Sequence, residues 1–262
     1  MADTVSTTPW YRPVGTELEA VRAACGIGLP VLLKGPTGCG KSRLLEHIAH
    51  ELNRPLITVA CNDETSAADL VGRFLLKAGE TVWQDGPVTR AVRQGAVLYL
   101  DEVAEAREDV LVVLHPLADH RRELWIDRLD ERLTVASGFQ LMASFNPGYR
   151  RGVKDLKPST RQRFVSVAMT WPAVEVEAEI VAHEAGCGAA TAKKLVSLAK
   201  KIRGLDEMAL AETVSTRGLI SAGRLIQGGL EPRLACRVAV IEPLSDDLEV
   251  LVPLRDLANL AF

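Results

Sequence analysis

The stretch of sequence that decides the fold covers residues 35–42, which are in order Gly35, Pro36, Thr37, Gly38, Cys39, Gly40, Lys41 and Ser42. The apolar residues 30–33 precede it directly, and residues 43–49 follow it with helical spacing. A strand, the pattern G-x-x-x-x-G-K-S and a helix in this order make a Walker A motif, a glycine loop that holds phosphate groups. Backbone N–H groups of such a loop and the first turn of its helix attract anions. The stretch therefore predicts a binding site for a nucleoside triphosphate.

Two side chains of this loop have separate expected roles. Lys41 can reach the β- and γ-phosphates, and the Ser42 hydroxyl can join the coordination shell of Mg²⁺. The glycines allow backbone geometries that a Cβ atom would obstruct. The alternative is a plain glycine turn between a strand and a helix, and the combination of strand, spacing, Lys and Ser argues against it. We therefore expect ATP and Mg²⁺ as cofactors, with residues 35–42 as their ligands.

A second apolar strand, residues 96–100, ends in two carboxylates, Asp101 and Glu102. Side chains at the carboxyl edge of a parallel sheet face the crevice that binds nucleotides. We expect Asp101 to hold the Mg²⁺ shell and Glu102 to polarise the attacking water. An acidic pair after a strand is common in loops. Its position downstream of a Walker A loop favours the catalytic interpretation, which is the Walker B motif.

Composition excludes several classes of protein. The chain has 262 residues, 47% of them hydrophobic, and a formal net charge of -3. This balance gives no general attraction to nucleic acid or to an anionic membrane, and no apolar run is long enough for a membrane span. The N-terminus lacks the basic and apolar regions of a signal peptide, and the five scattered cysteines indicate reduced thiols. We expect a cytoplasmic protein with no nucleic-acid or membrane partner.

Strands and helices alternate over the first two thirds of the chain, which predicts a parallel sheet covered by helices on both faces. Strands are predicted at residues 31–33, 56–60, 96–100 and 139–144, and helices at residues 17–25, 43–52, 87–94 and 108–117. Two candidate hairpins cover residues 75–83 and 124–135.

Beyond Trp171-Pro172 the pattern is helical, at residues 174–184 and 191–203, and residues 241–262 are the least readable. We expect one domain at 1–172 that contains the nucleotide site and both hairpins, and a helical domain at 173–262.

Three further segments resemble motifs of the AAA+ ATPases. Asn146, at the end of the strand after Walker B, resembles the sensor residue that orients the water or contacts the γ-phosphate. A turn-capping Asn before Pro is the alternative. Residues 215–219 open a helix and resemble the sensor 2 segment, which implies that Arg217 grips the phosphates. A guanidinium suits such contacts because it stays charged and offers a fork of donors.

Residues 159–164, Ser-Thr-Arg-Gln-Arg-Phe, resemble the segment that carries the arginine finger. In that segment an Arg directly before Phe reaches the γ-phosphate of a neighbouring subunit. Arg163 fits this position and Arg161 is the alternate, because Gln162 replaces the usual Asp and leaves the choice open. A surface ion pair is the other interpretation for either arginine.

Within the AAA+ proteins the two hairpin stretches resemble the inserts of the MoxR branch, and residues 12–225 are similar to its CbbQ/NirQ/NorQ/GvpN group. The resemblance implies an α/β fold, a P-loop parallel sheet flanked by helices, with a smaller C-terminal helical lid. It also implies catalysis by Glu102, Asn146 and a finger arginine, and a homo-oligomeric ring, for which we expect a hexamer. ATP hydrolysis in the ring would rotate the lid and remodel a client protein.

CbbQ-type members are the nearest match. They imply Rubisco as the client, reached through a CbbO-type adaptor that carries a von Willebrand factor A domain. The same ATPase could instead mature nitric oxide reductase or assemble gas vesicles. An alternative of another class is a switch that binds ATP with negligible turnover, and the presence of Glu102 argues against it.

Overall fold

The computed structural model describes residues 9–147, 156–205 and 213–262. The chain forms two compact units. The N-terminal unit comprises Met1–Gly35 and Lys41–Met169, and the C-terminal unit comprises Pro36–Gly40 and Thr170–Phe262. The predicted division into domains at 1–172 and 173–262 stays a prediction.

The N-terminal unit is built on a parallel sheet of five strands in the order β2-β5-β8-β1-β9. Two antiparallel hairpins, β3–β4 and β6–β7, lie outside this sheet. The strands of the described residues are β1 (Val31–Lys34), β2 (Leu56–Ala60), β3 (Gly72–Lys77), β4 (Glu80–Asp85), β5 (Val97–Asp101), β6 (Glu123–Ile126), β7 (Glu131–Thr134), β8 (Gln140–Phe145) and β9 (Val165–Ala168).

Helices flank the sheet and make up most of the C-terminal unit. In the described residues they are α1 (Glu17–Gly26), α2 (Lys41–Glu51), α3 (Ala67–Val71), α4 (Pro87–Gln94), α5 (Glu108–Ala118), α6 (Pro158–Arg161), α7 (Val174–Ala185), α8 (Ala189–Arg203), α9 (Thr216–Gln227), α10 (Pro232–Cys236) and α11 (Leu248–Ala261). The predicted α/β class, a helix-flanked parallel sheet followed by a helical region, is confirmed.

The central strands explain why the sequence forms this sheet. All six residues of β8 and the first four of β5 are buried, as are the three apolar residues of β1. A strand covered on both faces is apolar along its whole length, so its polar residues collect where the strand ends. Because β8 lies between β1 and β5, the polar ends of all three strands meet at one edge of the sheet.

The two hairpins cover the stretches in which the sequence predicts hairpins. In β3–β4 the loop is Ala78-Gly79, and φ is 49° at Ala78 and 87° at Gly79. Two positive φ values give the twist that a two-residue hairpin loop requires. In β6–β7 the strand pairing resumes after Asp130, whose φ is 49°.

Several elements of the structure are absent from the sequence prediction, and three of them show why. Strand β9 has only four residues, half of them exposed, so its pattern is too short to indicate a sheet strand. Helix α3 has five residues and starts at a Ser66–Asp69 capping box. Helix α11 contains Pro253, which is normally unfavourable inside a helix.

The C-terminal unit contains a buried charge pair. Glu177, 1% exposed, accepts two hydrogen bonds of 2.8 Å from the Arg203 guanidinium and one of 2.6 Å from the Thr216 hydroxyl. Arg203 also donates to the Val214 carbonyl at 2.8 Å and lies 4.1 Å above the Trp171 ring. A bidentate ion pair can be stable away from water when the other N–H groups of the guanidinium also have acceptors. The pair ties α7 and α8 to the first residue of α9.

We expect Glu177→Gln to lower the free energy of unfolding of the C-terminal unit by roughly 3–5 kcal/mol, because Arg203, whose side chain is 13% exposed, would lose its anion. Urea denaturation followed by tryptophan fluorescence measures this change. The matched control is Glu175→Gln, two residues earlier on the exposed face of α7. It should change the value by less than about 1 kcal/mol. Equal effects of the two substitutions would contradict the assignment of the buried pair.

Candidate functional site

Lys41, the first residue of α2, is buried at 7% exposure and connects two strand ends. Its Nζ atom donates to the Gly35 carbonyl at 2.9 Å and to Asn146 Oδ1 at 2.6 Å. Gly35 follows β1 and Asn146 follows β8, so the ammonium group lies where these neighbouring strands end. A buried ammonium group requires acceptors, and both of these are neutral oxygens.

Asp101, the last residue of β5, is held by two hydroxyl groups. Tyr99 Oη and Ser144 Oγ each donate to Asp101 Oδ1 at 2.5 Å. The Ser42 hydroxyl lies 3.3 Å from the Tyr99 hydroxyl, so a chain of hydrogen bonds connects the Walker A serine to the Walker B aspartate. Tyr99 and Ser144 are both buried.

Glu102 has φ 53° and ψ 44°, a left-handed conformation that is uncommon outside glycine. Its backbone N–H donates to Ser144 Oγ at 3.3 Å, and its Oε1 accepts a 3.3 Å hydrogen bond from Asn146 Nδ2. Strained backbone of this kind persists where surrounding contacts fix it, and it occurs frequently at functional sites. Two of the predicted catalytic side chains, Glu102 and Asn146, therefore contact each other directly.

The remaining loop residues belong to the C-terminal unit. Gly38 and Gly40 have φ values of 74° and 101°, as expected for glycines that a Cβ would obstruct. A Cβ at Gly38 would lie 2.6 Å from the Cβ of Ser215, the residue that caps α9 by accepting from the Gly218 N–H. Arg217 is exposed on the first turn of that helix.

Arg161 and Arg163 have different surroundings in the N-terminal unit. The Arg161 guanidinium lies 5.6 Å from the centroid of the Phe145 ring, at the end of β8. Arg163 Nη1 donates to the Ser159 carbonyl at 2.5 Å, inside its own turn. His115 Nε2 lies 3.1 Å from the Thr160 hydroxyl next to Arg161, and burial together with the positive charge of Arg163 lowers the pKa of His115.

The hydrogen bonds bring together five residues that the sequence predicts for the site, namely Lys41, Ser42, Asp101, Glu102 and Asn146. Sequence analysis missed two further members, Tyr99 and Ser144. A signal for Tyr99 was available, because residues two apart on a strand share a face and Tyr99 precedes Asp101 by two. Ser144 gave no such signal, since its partner is on a neighbouring strand.

Two family models match this chain. One, described as the AAA domain of the dynein-related subfamily, matches residues 30–164, and the other, described as the CbbQ/NirQ/NorQ C-terminal region, matches residues 177–261. The chain belongs to the CbbQ/NirQ/NorQ family of AAA+ ATPases. The predicted family is therefore confirmed, and with it the predicted class of enzyme, one that hydrolyses ATP.

Two relatives and one solved structure illustrate the similarity. NorQ of Paracoccus denitrificans is 57% identical over 97% of this chain and 94% of its own length. CbbQ of Hydrogenophilus thermoluteolus is 53% identical over 98% of this chain and 97% of its own length. The structure of a RuvB mutant from Thermotoga maritima is 19% identical, covers 94% of this chain and 69% of its own, and has a TM-score of 0.53. At that identity it supports the AAA+ fold alone.

No helix in the described part of the chain combines the length and hydropathy that a membrane crossing requires.

Proposed function

We propose that this ATPase binds Mg²⁺ and ATP at the cluster formed by the ends of β1, β5 and β8. The observation that carries the proposal is the set of contacts joining Lys41 to Asn146 and Asn146 to Glu102. A cation, a polar amide and a carboxylate thus lie side by side at one sheet edge. Phosphoryl transfer to water needs these three groups to neutralise phosphate charge, orient the water and accept its proton.

The donor atoms at the cluster fit Mg²⁺. Mg²⁺ prefers oxygen ligands and is usually held by one or two protein side chains beside the phosphates. Ser42 Oγ and the Asp101 carboxylate are such oxygens, and Tyr99 joins them. When bound, the ion would neutralise charge on the phosphate oxygens. Lys41 would exchange its neutral acceptors for phosphate oxygens, and the backbone of residues 35–40 would surround the phosphates.

Glu102 and Asn146 would act on the attacking water. The 3.3 Å contact with Asn146 Nδ2 fixes one carboxylate oxygen of Glu102, and the Ser144 contact fixes its backbone. A base that is held in place loses little orientational freedom when the water binds. Arg217 is our candidate for a further phosphate contact, made from a lid formed by residues 173–262.

We further propose a ring of identical subunits, a hexamer, in which Arg163 acts on the nucleotide of its neighbour. AAA+ ATPases typically oligomerise. The contact between Arg161 and Phe145 supports a role for Arg161 within its own subunit, because Phe145 directly precedes Asn146. Arg163 bonds only to its own turn among the described residues, which suits a guanidinium that serves another chain.

The two hairpins are our candidates for the surfaces that act on the client. Leu76 on β3 is 77% exposed and Trp125 on β6 is 48% exposed. Both side chains are accessible to a partner protein, because the hairpins that carry them lie outside the central sheet. Trp83 is less suited, since it is half-buried, lies against Phe74 at 5.1 Å and donates to Asp85 at 2.7 Å.

For the client we propose inhibited Rubisco, reached through a CbbO-type adaptor with a von Willebrand factor A domain. The 53% identity with CbbQ over nearly the whole of both chains supports this client. Nitric oxide reductase is the second candidate, and the 57% identity with NorQ supports it at least as strongly. A cytoplasmic location is part of the same proposal.

We expect Glu102→Gln to bind Mg·ATP normally and to lower ATP turnover by at least about 100-fold, because the water loses its base. Lys41→Ala should abolish measurable binding. Calorimetry and a phosphate-release assay test both. The control is Glu108→Gln on the solvent side of α5, where the carboxylate pairs with Lys157 at the surface. Unchanged turnover in Glu102→Gln would place the base elsewhere, and intact binding in Lys41→Ala would refute the site.

Mixed rings test the finger assignment. Rings of Arg163→Ala subunits and rings of Glu102→Gln subunits should each be inactive. Mixing the two kinds of subunit should restore activity, because an Arg163→Ala subunit keeps Glu102 and can receive Arg163 from a neighbouring Glu102→Gln subunit. Mixing Arg161→Ala with Glu102→Gln should restore none, since Arg161 acts inside its own subunit. The reverse pattern of rescue would make Arg161 the finger. No rescue in either mixture would refute an arginine that acts in trans.

Two assays decide the client. We expect inhibited Rubisco to regain carboxylase activity when this chain, its adaptor and ATP are added, and not with the Glu102→Gln variant. The parallel assay measures nitric oxide reductase activity after expression with and without this chain. If only the reductase requires this chain for its activity, the second candidate is the client. If neither enzyme requires this chain, both candidates are refuted.

A further inference from the structure

The Tyr99 hydroxyl lies between the two residues proposed to hold Mg²⁺. It is 2.5 Å from Asp101 Oδ1 and 3.3 Å from Ser42 Oγ, and the tyrosine is 2% exposed. Its place in the middle of β5 directs it to the same side of the strand as Asp101. A phenylalanine would fill the same volume, so the buried hydroxyl needs an explanation of its own.

Counting protons fixes the direction of the hydrogen bonds. Three hydroxyls, those of Ser42, Tyr99 and Ser144, supply one proton each. Tyr99 and Ser144 both donate to Asp101 Oδ1, each at 2.5 Å. Their mutual contact of 3.1 Å therefore has no proton left to share. The oxygen of Tyr99 is then the acceptor for the Ser42 proton, and the chain runs from Ser42 through Tyr99 to Asp101.

This direction has two consequences for metal binding. The Ser42 proton points to Tyr99, so the lone pairs of Ser42 Oγ are left for a cation. Within the part of the chain that the structure describes, both hydroxyl donors occupy Asp101 Oδ1. The other carboxylate oxygen, Oδ2, is then left for a cation or for water bound to it. Hydrogen-bond partners behind metal ligands commonly fix the orientation of those ligands in this way.

We propose that Tyr99 is a positioning residue for Mg²⁺, which holds Ser42 and Asp101 as a preoriented pair and so sets the Mg²⁺ concentration that nucleotide binding requires. The inference rests on the proposed function, since it assumes that Mg²⁺ binds with nucleotide at this cluster. Tyr99 itself is not proposed to touch the metal.

The test is Tyr99→Phe, with binding of a fluorescent ATP analogue measured across a Mg²⁺ titration. We expect the Mg²⁺ concentration for half-maximal binding to rise about tenfold, the effect of losing one buried hydrogen bond to a charged group. Binding measured in EDTA should stay unchanged, because the phosphate contacts remain. A purely structural role would instead weaken binding equally with and without Mg²⁺.

The matched control is Tyr11→Phe. The Tyr11 hydroxyl also donates to a carboxylate, Glu17 Oε1 at 2.8 Å, on α1 and away from the cluster. We expect its Mg²⁺ requirement to equal that of the unchanged protein. A tenfold rise in both variants would show that losing any such hydroxyl has this effect, and would overturn the inference.

A second measurement covers the case in which Tyr99→Phe does not fold. The chain has three tyrosines, so uniform labelling with 3-fluorotyrosine gives few fluorine NMR signals. Tyr11→Phe and Tyr149→Phe identify the Tyr99 signal by elimination. It should move when Mg²⁺ and nucleotide are added together and stay in place with nucleotide and EDTA. If the chemical shift of the Tyr99 signal does not depend on Mg²⁺, the inference is overturned.

The two proposals fail separately. If the unchanged protein binds nucleotide without any dependence on Mg²⁺, or binds none, the proposed function fails. If its binding depends on Mg²⁺ and Tyr99→Phe has the same dependence, only the role of Tyr99 is refuted.

Discussion

The parallel pairing of β8 with β1 on one side and β5 on the other is the constraint on which the candidate site depends. In this register Ser144 lies beside Leu33, and Ala143 lies beside Leu100, one residue before Asp101. Side chains alternate between the two faces of a strand, so a shift of one residue would turn Ser144 away from Asp101. The same shift would bury a polar side chain in the apolar layer. Core packing and site geometry therefore select a single register.

This constraint also explains why the cluster is so fully hydrogen-bonded. Tyr99 and Ser144 lie at buried positions, where a hydroxyl without a partner costs about 1–3 kcal/mol. Asp101 accepts from both, and its charge makes these hydrogen bonds stronger than neutral ones. Removing the carboxylate would take from both hydroxyls the acceptor that they share. The polar network and the apolar strands around it thus stabilise the same arrangement.

Much of this could be read from the sequence, and the failures have physical causes. Lys41, Ser42, Asp101 and Glu102 were predictable because local motifs fix the first two at the start of α2 and the other two at the end of β5. Tyr99 was interpreted only as part of an apolar strand. A tyrosine in such a strand indicates that the ring is buried, but it does not indicate which group its hydroxyl contacts. The choice between Arg161 and Arg163 stayed open because the motif contains both. Contacts with Phe145 and Ser159, which no spacing encodes, separate their surroundings.

Each unit places an exposed or strained functional candidate directly after a residue whose side chain is held by hydrogen bonds. In the N-terminal unit Asp101 is held by two hydroxyls, and Glu102 follows it in a left-handed conformation. In the C-terminal unit Thr216 donates to the buried Glu177, and the exposed Arg217 follows it. The hydrogen bonds fix the position of one residue, and the backbone of the next residue is therefore also held in place. The side chain of that next residue stays accessible to solvent. Such a pairing holds a reactive side chain in place through its neighbour, so the side chain itself remains able to bind a ligand.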